Sequence, residues 1–187
     1  MSSADRRASV VDAAQEMLRL DLVSGTSGNV SARDGESIVI TPAAMPYEQM
    51  RDEDLVELAP DGEPTEGGGR PSSEWRVHLA IYAARADAVA IVHTHSVHAT
   101  AWSFDGEPLD TGTEEFEAAT GGPVLTAPYA PTGSEEIAAA AVAALGDRRA
   151  VLLGRHGVVG VGATPAEALA TCVVVERQAQ LAWLLRR

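Results

Sequence analysis

The sequence predicts an α/β fold in which a central, largely antiparallel sheet is covered by helices. Three observations lead there. An Asp34-Gly35 turn sits between two short β-type runs, as in a hairpin; short strand runs and helical stretches interleave later in the chain; and no strict βαβ alternation links them. The 187 residues are enough for one well-filled domain, 1–187, with no room for an independent second one. A hydrophobic fraction of 45% with only 4% aromatics implies an aliphatic, helix-rich core and argues against disorder.

The elements follow in order. From about Ser3 to Leu22, Val10, Ala14, Met17 and Leu18 recur at helical spacing between charges. After the small-residue loop Ser24 to Asn29, Val30–Arg33 and Ser37–Thr41 form the hairpin strands, and Leu55–Leu58 is another short strand. The Gly/Pro/Glu-rich stretch Pro60 to Arg70 reads as a turn or mobile loop. Pro71-Ser72-Ser73-Glu74 then places a capping hydroxyl and an early carboxylate ahead of a helix carrying Trp75, Leu79 and Tyr82. Ala88 to Ser96 reads as a buried strand, and the acidic segment Phe104 to Thr120 gives no clear pattern. Ser134 caps an alanine helix ending near Gly146-Asp147. Ala150–Leu153 and Val158–Val161 are strands around Gly154-Arg155-His156-Gly157, and Thr164-Pro165-Ala166-Glu167 opens a last helix running nearly to Arg187.

Composition removes several functions. A net charge of −13 repels a phosphate backbone, and no Lys/Arg cluster interrupts it, so no nucleic-acid partner is expected. Cys172 stands alone and cannot form an internal disulfide, and the N-terminal MSSADRRASVV lacks a signal-peptide core. No apolar run approaches the roughly 20 residues of a membrane span. The expectation is a cytoplasmic protein with no membrane partner.

The chemistry concentrates in a few residues. In Val92-His93-Thr94-His95 a period of two aims both imidazoles at one face of a strand, where a single metal ion can take both. A catalytic zinc typically takes three protein ligands, and His156, in a glycine-flanked turn between strands, is the natural third. Read alone, an HxH pair is equally often two polar residues on a strand; burial in an apolar run favours a metal, because it pairs otherwise costly polar groups. Glu74 lies where a helix dipole favours its ionised form, and a lone glutamate there is most often a helix-start charge. His78, among Leu79 and Tyr82, reads as a core histidine satisfied by a hydrogen bond, and His98 reads the same way. Gly25-Thr26-Ser27-Gly28-Asn29 and Ser72-Ser73 together form a candidate cradle for a phosphate or carboxylate, although each alone is more often a plain turn or cap.

Taken in order, GTSGNVSAR from Gly25, ITPAAMPYEQM from Ile40, PSSEWRVHLAIY from Pro71, VHTHSVHATA from Val92, APYAPTG from Ala127 and RHGVVGVG from Arg155 resemble the class II aldolase/adducin family across most of the chain. The resemblance implies a three-layer α/β/α fold with a central, mainly antiparallel sheet. It also implies zinc (Zn2+) held by His93, His95 and His156, and Glu74 as the catalytic acid/base that also touches the metal. Gly28, Asn29, Ser72 and Ser73 would bind the phosphate of a sugar-phosphate substrate in a homotetramer, and the activity would be aldol cleavage of a ketose. Dehydration of methylthioribulose 1-phosphate and a non-catalytic adducin-like module are the competing readings within the family. The chain contains no lysine, which excludes a Schiff-base aldolase mechanism. It departs from the family's aldolases in three places: Ala43-Ala44 stands where they carry a Thr-Gly pair at the phosphate, Glu115 lies near the position of a tyrosine acid, and the sequence stops at Arg187, ahead of the C-terminal tail that helps close their site.

Overall fold

A computed structural model of the chain describes residues 2–65 and 69–186. The elements are α1 (Ser3–Arg19), β1 (Asn29–Asp34), β2 (Ser37–Ile40), β3 (Val56–Leu58), α2 (Trp75–Ala84), β4 (Ala90–Thr94), α3 (Val97–Trp102) and α4 (Glu114–Thr120), then β5 (Thr126–Ala127), α5 (Glu135–Leu145), β6 (Ala150–Leu153), β7 (Gly157–Gly162) and α6 (Pro165–Leu185). One seven-stranded sheet runs in the order β3-β2-β1-β4-β7-β6-β5. Every neighbouring pair is antiparallel except β5 and β6, which are parallel.

The two faces of the sheet carry separate cores, and the period-two alternation of the strands decides which residue serves which. Ala90 and Val92 of β4, Val30 and Ala32 of β1, and Leu152 of β6 pack with α1, α3, α4 and α6. Ile91, Ile38, Ile40, Val151 and Val159 pack with α2 and α5 on the other side. The expected α/β/α layering with a mainly antiparallel sheet is therefore the observed one. β4 sits in the middle, buried at all five positions, which is why its run is apolar on both faces.

Local signals account for most boundaries. The Asp34-Gly35 hairpin forms with Gly35 at φ +67°, and Ser134 and Thr164 cap α5 and α6 by accepting from Ile137 N–H and Glu167 N–H. The structure differs from the sequence reading in four places. The strand expected over Ala88 to Ser96 is confined to Ala90–Thr94, and the next residues turn into α3, whose first amides are held by the Glu176 carboxylate of α6 (His98 N 3.0 Å, Ala99 N 2.8 Å). The unpatterned acidic segment contains α4, capped by Thr113. β5 is a two-residue strand, too short for an alternation to reveal it. At α2, the cap position is Glu74 itself and its side chain makes no cap bond; Ser72 Oγ accepts the Glu74 amide (3.3 Å) instead. Of the loop expected from Pro60 to Arg70, residues 66–68 lie outside the described residues, and Leu58 bridges Pro64 before them.

Candidate metal centre

The fold brings Glu74, His93, His95 and His156 together so that one ligand atom from each lies within 4.8 Å of the others. His93 comes from the end of β4 and is 1% exposed; His95 follows just beyond the strand, its amide donating to Leu22 O (3.0 Å). His156 arrives through the turn between β6 and β7. There Arg155 takes φ +60°, and a Cβ on Gly157 would lie 2.2 Å from Thr94 O, so only glycine lets β7 cross this close to β4. The three imidazole rings stand 4.7, 4.9 and 4.8 Å apart between centroids, all edge-on. Glu74 reaches them from the start of α2, with Oε1 3.2 Å from His156 Nε2 and Oε2 3.4 Å from His93 Nε2.

Two features of this cluster fit a divalent cation. His93 Nδ1 lies 3.0 Å from Val158 O, a pure acceptor, so Nδ1 carries the proton and Nε2 presents a lone pair. Burial, reinforced by the neighbouring imidazoles, pulls His93 and His95 down to a pKa of about 3, so both rings are neutral ligands; yet their Nε2 atoms face each other at 2.9 Å. Glu74 Oε1 is buried and has no hydrogen-bond partner among the described residues, an arrangement that costs about 1–3 kcal/mol unless something positive meets it. Three imidazoles and a carboxylate are also a donor set suited to zinc-type ions.

The residues expected at the anion side are drawn toward the same end of the sheet. Thr41 N–H donates to Val30 O (3.0 Å), its hydroxyl accepts from Val30 N–H (3.2 Å), and its carbonyl accepts from Ser72 N–H (3.1 Å). Pro42 bridges Pro71, and Ala43 N donates to Arg70 O (2.9 Å). The Gly28-Asn29, Ala43-Ala44 and Ser72-Ser73 segments are thereby laced together. Gly28, at φ +75°, packs so near β4 that a Cβ would meet His93 O at 2.6 Å. Ser73 is exposed and Ser72 buried. The Asn29 side chain is 1% exposed and turned to Glu74 Oε2, to which its Nδ2 donates (2.9 Å). Glu115, by contrast, lies on α4 and accepts from Gln178 Nε2 (3.2 Å) in the packing of α4 on α6.

His78, left by the sequence as a core histidine, is completely buried and hydrogen-bonded as expected, but its partners are those of the site: Asn29 Oδ1 (2.5 Å) and Ser31 Oγ (2.6 Å). Burial pushes its pKa down to about 3, with the charge interactions of His93 and Glu74 opposing each other. His98 is satisfied as well, by Glu176 at 2.7 Å, on a side chain 38% exposed rather than in the core.

Three imidazoles and a carboxylate converging in this way could hold a metal ion, and comparison with known proteins says which class of protein carries them. The chain belongs to the family described as the Class II Aldolase and Adducin N-terminal domain, whose model matches residues 8–183. It is 41% identical over 172 residues to an L-fuculose phosphate aldolase of Escherichia coli O6:H1, covering 92% of this chain and 80% of that protein. It is 36% identical over 177 residues to a 5-methylthioribulose-1-phosphate/5-deoxyribulose-1-phosphate aldolase of Rhodospirillum rubrum, covering 95% of this chain and 80% of the relative. A solved structure of an L-fuculose 1-phosphate aldolase superposes with a TM-score of 0.94 at 33% identity, over 100% of this chain and 88% of that one. The chain is a metal-dependent lyase of this family.

Proposed function

We propose that the chain is a zinc-dependent aldolase that cleaves a ketose 1-phosphate, of the kind represented by L-fuculose 1-phosphate, by a retro-aldol reaction. The observation that carries this reading is the buried, unpaired Glu74 Oε1 set among three imidazole nitrogens. His93, His95 and His156 hold the ion, Glu74 is both its neighbour and the acid/base, and Gly28, Asn29, Ala43, Ala44, Ser72 and Ser73 form the side that receives the phosphate. When bound, the ion supplies Lewis-acid stabilisation of the negative charge that develops on the substrate oxygens as the carbon–carbon bond breaks. Glu74 moves the proton on the carbon that keeps the electron pair, from a position fixed by the start of α2. With no lysine in the sequence, no Schiff base competes as electron sink. We take the working protein to be a cytoplasmic homotetramer in which residues 1–187 of each subunit form one domain.

Cleavage is preferred to dehydration because the Rhodospirillum rubrum relative, whose name includes methylthioribulose 1-phosphate, is itself named an aldolase. The test is incubation of zinc-loaded protein with a panel of ketoses and ketose 1-phosphates, followed by mass analysis. Two fragments from a ketose 1-phosphate are expected. A single product lighter by one water would replace cleavage with dehydration, and no turnover on any substrate would leave a binding module. In parallel, alanine at His93, His95 or His156 should abolish stoichiometric metal binding; full occupancy in all three variants would remove the ligand assignment.

A further inference from the structure

The face of β1 that looks toward α2 is polar where a sheet covered by a helix is ordinarily apolar. Val30 and Ala32 point into the core beneath α1 and α6, which leaves Asn29, Ser31 and Arg33 on the opposite face. Opposite them α2 and its cap carry Glu74, His78 and Tyr82, spaced four residues apart and therefore on one side of the helix. Two polar stripes, one at strand period and one at helix period, interlock: Asn29 Nδ2 to Glu74 Oε2 at 2.9 Å, His78 Nε2 to Asn29 Oδ1 at 2.5 Å, Ser31 Oγ to His78 Nδ1 at 2.6 Å and Tyr82 Oη to Ser31 Oγ at 2.8 Å. Arg33 secures the far end, donating to the Tyr82, Arg85 and Ala88 carbonyls and lying 4.7 Å from the Tyr82 ring centroid. Glu74, Asn29, Ser31, His78 and Tyr82 are each at most 6% exposed, so water cannot substitute for any of these bonds.

The direction of every bond follows from the donor inventory. An ionised carboxylate only accepts, so Asn29 turns its NH2 toward Glu74 and its carbonyl toward His78. That carbonyl also only accepts, so His78 carries its proton on Nε2, and Nδ1 must accept from the Ser31 hydroxyl. The Ser31 oxygen then accepts from Tyr82 O–H. We propose that His78, Ser31 and Tyr82 are positioning residues that act through Asn29 on Glu74: their one-way hydrogen-bond chain locks the Asn29 amide so that Oε2, which also lies 3.4 Å from His93 Nε2, is held by an N–H, while Oε1, without a hydrogen-bond partner among the described residues, is left free to meet the metal and the substrate proton. The two oxygens of one carboxylate thereby receive different tasks. Without the chain, the Asn29 amide is free to rotate and present its carbonyl to the carboxylate, a repulsive contact that swings Glu74 out of line.

This rests on the aldolase reading for its kinetic arm, and its spectroscopic arm is independent of it. In nitrogen-15 NMR of the histidine-labelled, zinc-loaded full chain near pH 7, His78 should be the neutral Nε2–H tautomer; an Nδ1–H tautomer or an imidazolium would overturn the direction of the chain and with it the proposal. In the kinetic arm, His78→Gln keeps an N–H able to reach Asn29 and should retain turnover within a few-fold of the parent. His78→Leu should lower kcat roughly 10- to 100-fold while KM stays within about twofold and zinc remains stoichiometric. A His78→Leu enzyme with parental kcat, or Gln and Leu variants that are equally impaired, would overturn the proposal. If His78→Leu does not fold, Tyr82→Phe with the tautomer measurement replaces it: loss of the terminal hydroxyl should shift the His78 Nδ1 resonance through Ser31, and an unmoved resonance counts against the chain. A parent that cleaves no ketose phosphate removes the aldolase reading, while the tautomer result still decides the chain.

Discussion

At Glu74 the local sequence and the tertiary structure assign different jobs to one carboxylate. Its place at the head of α2 suggests a helix-start charge, yet no cap bond forms and both oxygens turn to His93, His156 and Asn29. A ligand and a proton carrier respond differently to Glu74→Gln, which keeps the volume and removes the proton site. As acid/base, the variant should stay zinc-loaded while turnover per bound zinc falls about 100-fold or more. Turnover within a few-fold of the parent at full occupancy would refute the role. His93 and His95 were legible as a pair at strand spacing, although the strand ends at Thr94 and His95 is held just beyond it through its amide on Leu22 O, and His156 was legible because glycines flank it. His78 was legible only as a satisfied histidine: its partner Asn29 is 49 residues away in sequence, and only the packing of α2 on β1 reveals what satisfies it.

Among elements, the hairpin, α1, α2, α5, α6 and the β6–β7 pair could be read because each carries its own turn or cap chemistry. β5 and α3 could not: they exist through β6 and through the Glu176 carboxylate, which are distant in the chain. The loop after β2 shows the same dependence on context. Ala44 adopts φ +59°, a left-handed conformation that costs an alanine about 1 kcal/mol and a glycine almost nothing. The resemblance read from the sequence leads one to expect glycine there, the residue that takes a left-handed backbone without strain. Ala44 is exposed, so replacing it by glycine loses little packing. Ala44→Gly should therefore leave stability unchanged or raise it by up to about 1 kcal/mol in urea unfolding, the relief of strain outweighing the added freedom of the unfolded chain. A clear destabilisation would mean the loop has relaxed away from this conformation. The double change Ala43→Thr with Ala44→Gly should in addition lower KM for a ketose 1-phosphate, and an unchanged KM would take this loop out of the anion site.

For the molecule as a whole, the concentration of buried neutral histidines between β1, β4 and α2 makes stability depend on pH in a defined direction. His78 and His93 are 0% and 1% exposed, and burial lowers both from 6.5 to about 3. A depressed histidine stays unprotonated in the native state while the unfolded chain takes up the proton, so acid favours unfolding. Stability in the metal-free protein should be full above about pH 6.5 and fall as the pH drops toward 3, by up to about 1.4 kcal/mol per pH unit for each histidine. The opposing effect is relief of self-repulsion in a chain of net charge −13 as carboxylates protonate. Carboxylates in unperturbed surroundings ordinarily titrate near pH 4, so between pH 6.5 and 5 the histidines should win. Urea midpoints of metal-free protein measured at pH 7.5, 6.5, 5.75 and 5 should be level at first and then decline, and His78→Gln, which removes one of the three depressed histidines, should make the decline shallower. Added zinc should raise the midpoint most at the alkaline end and lose its effect on acidification, because protons and the ion compete for the same imidazole nitrogens. Midpoints that stay level down to pH 5 without metal would show that these histidines are not held neutral in the folded chain.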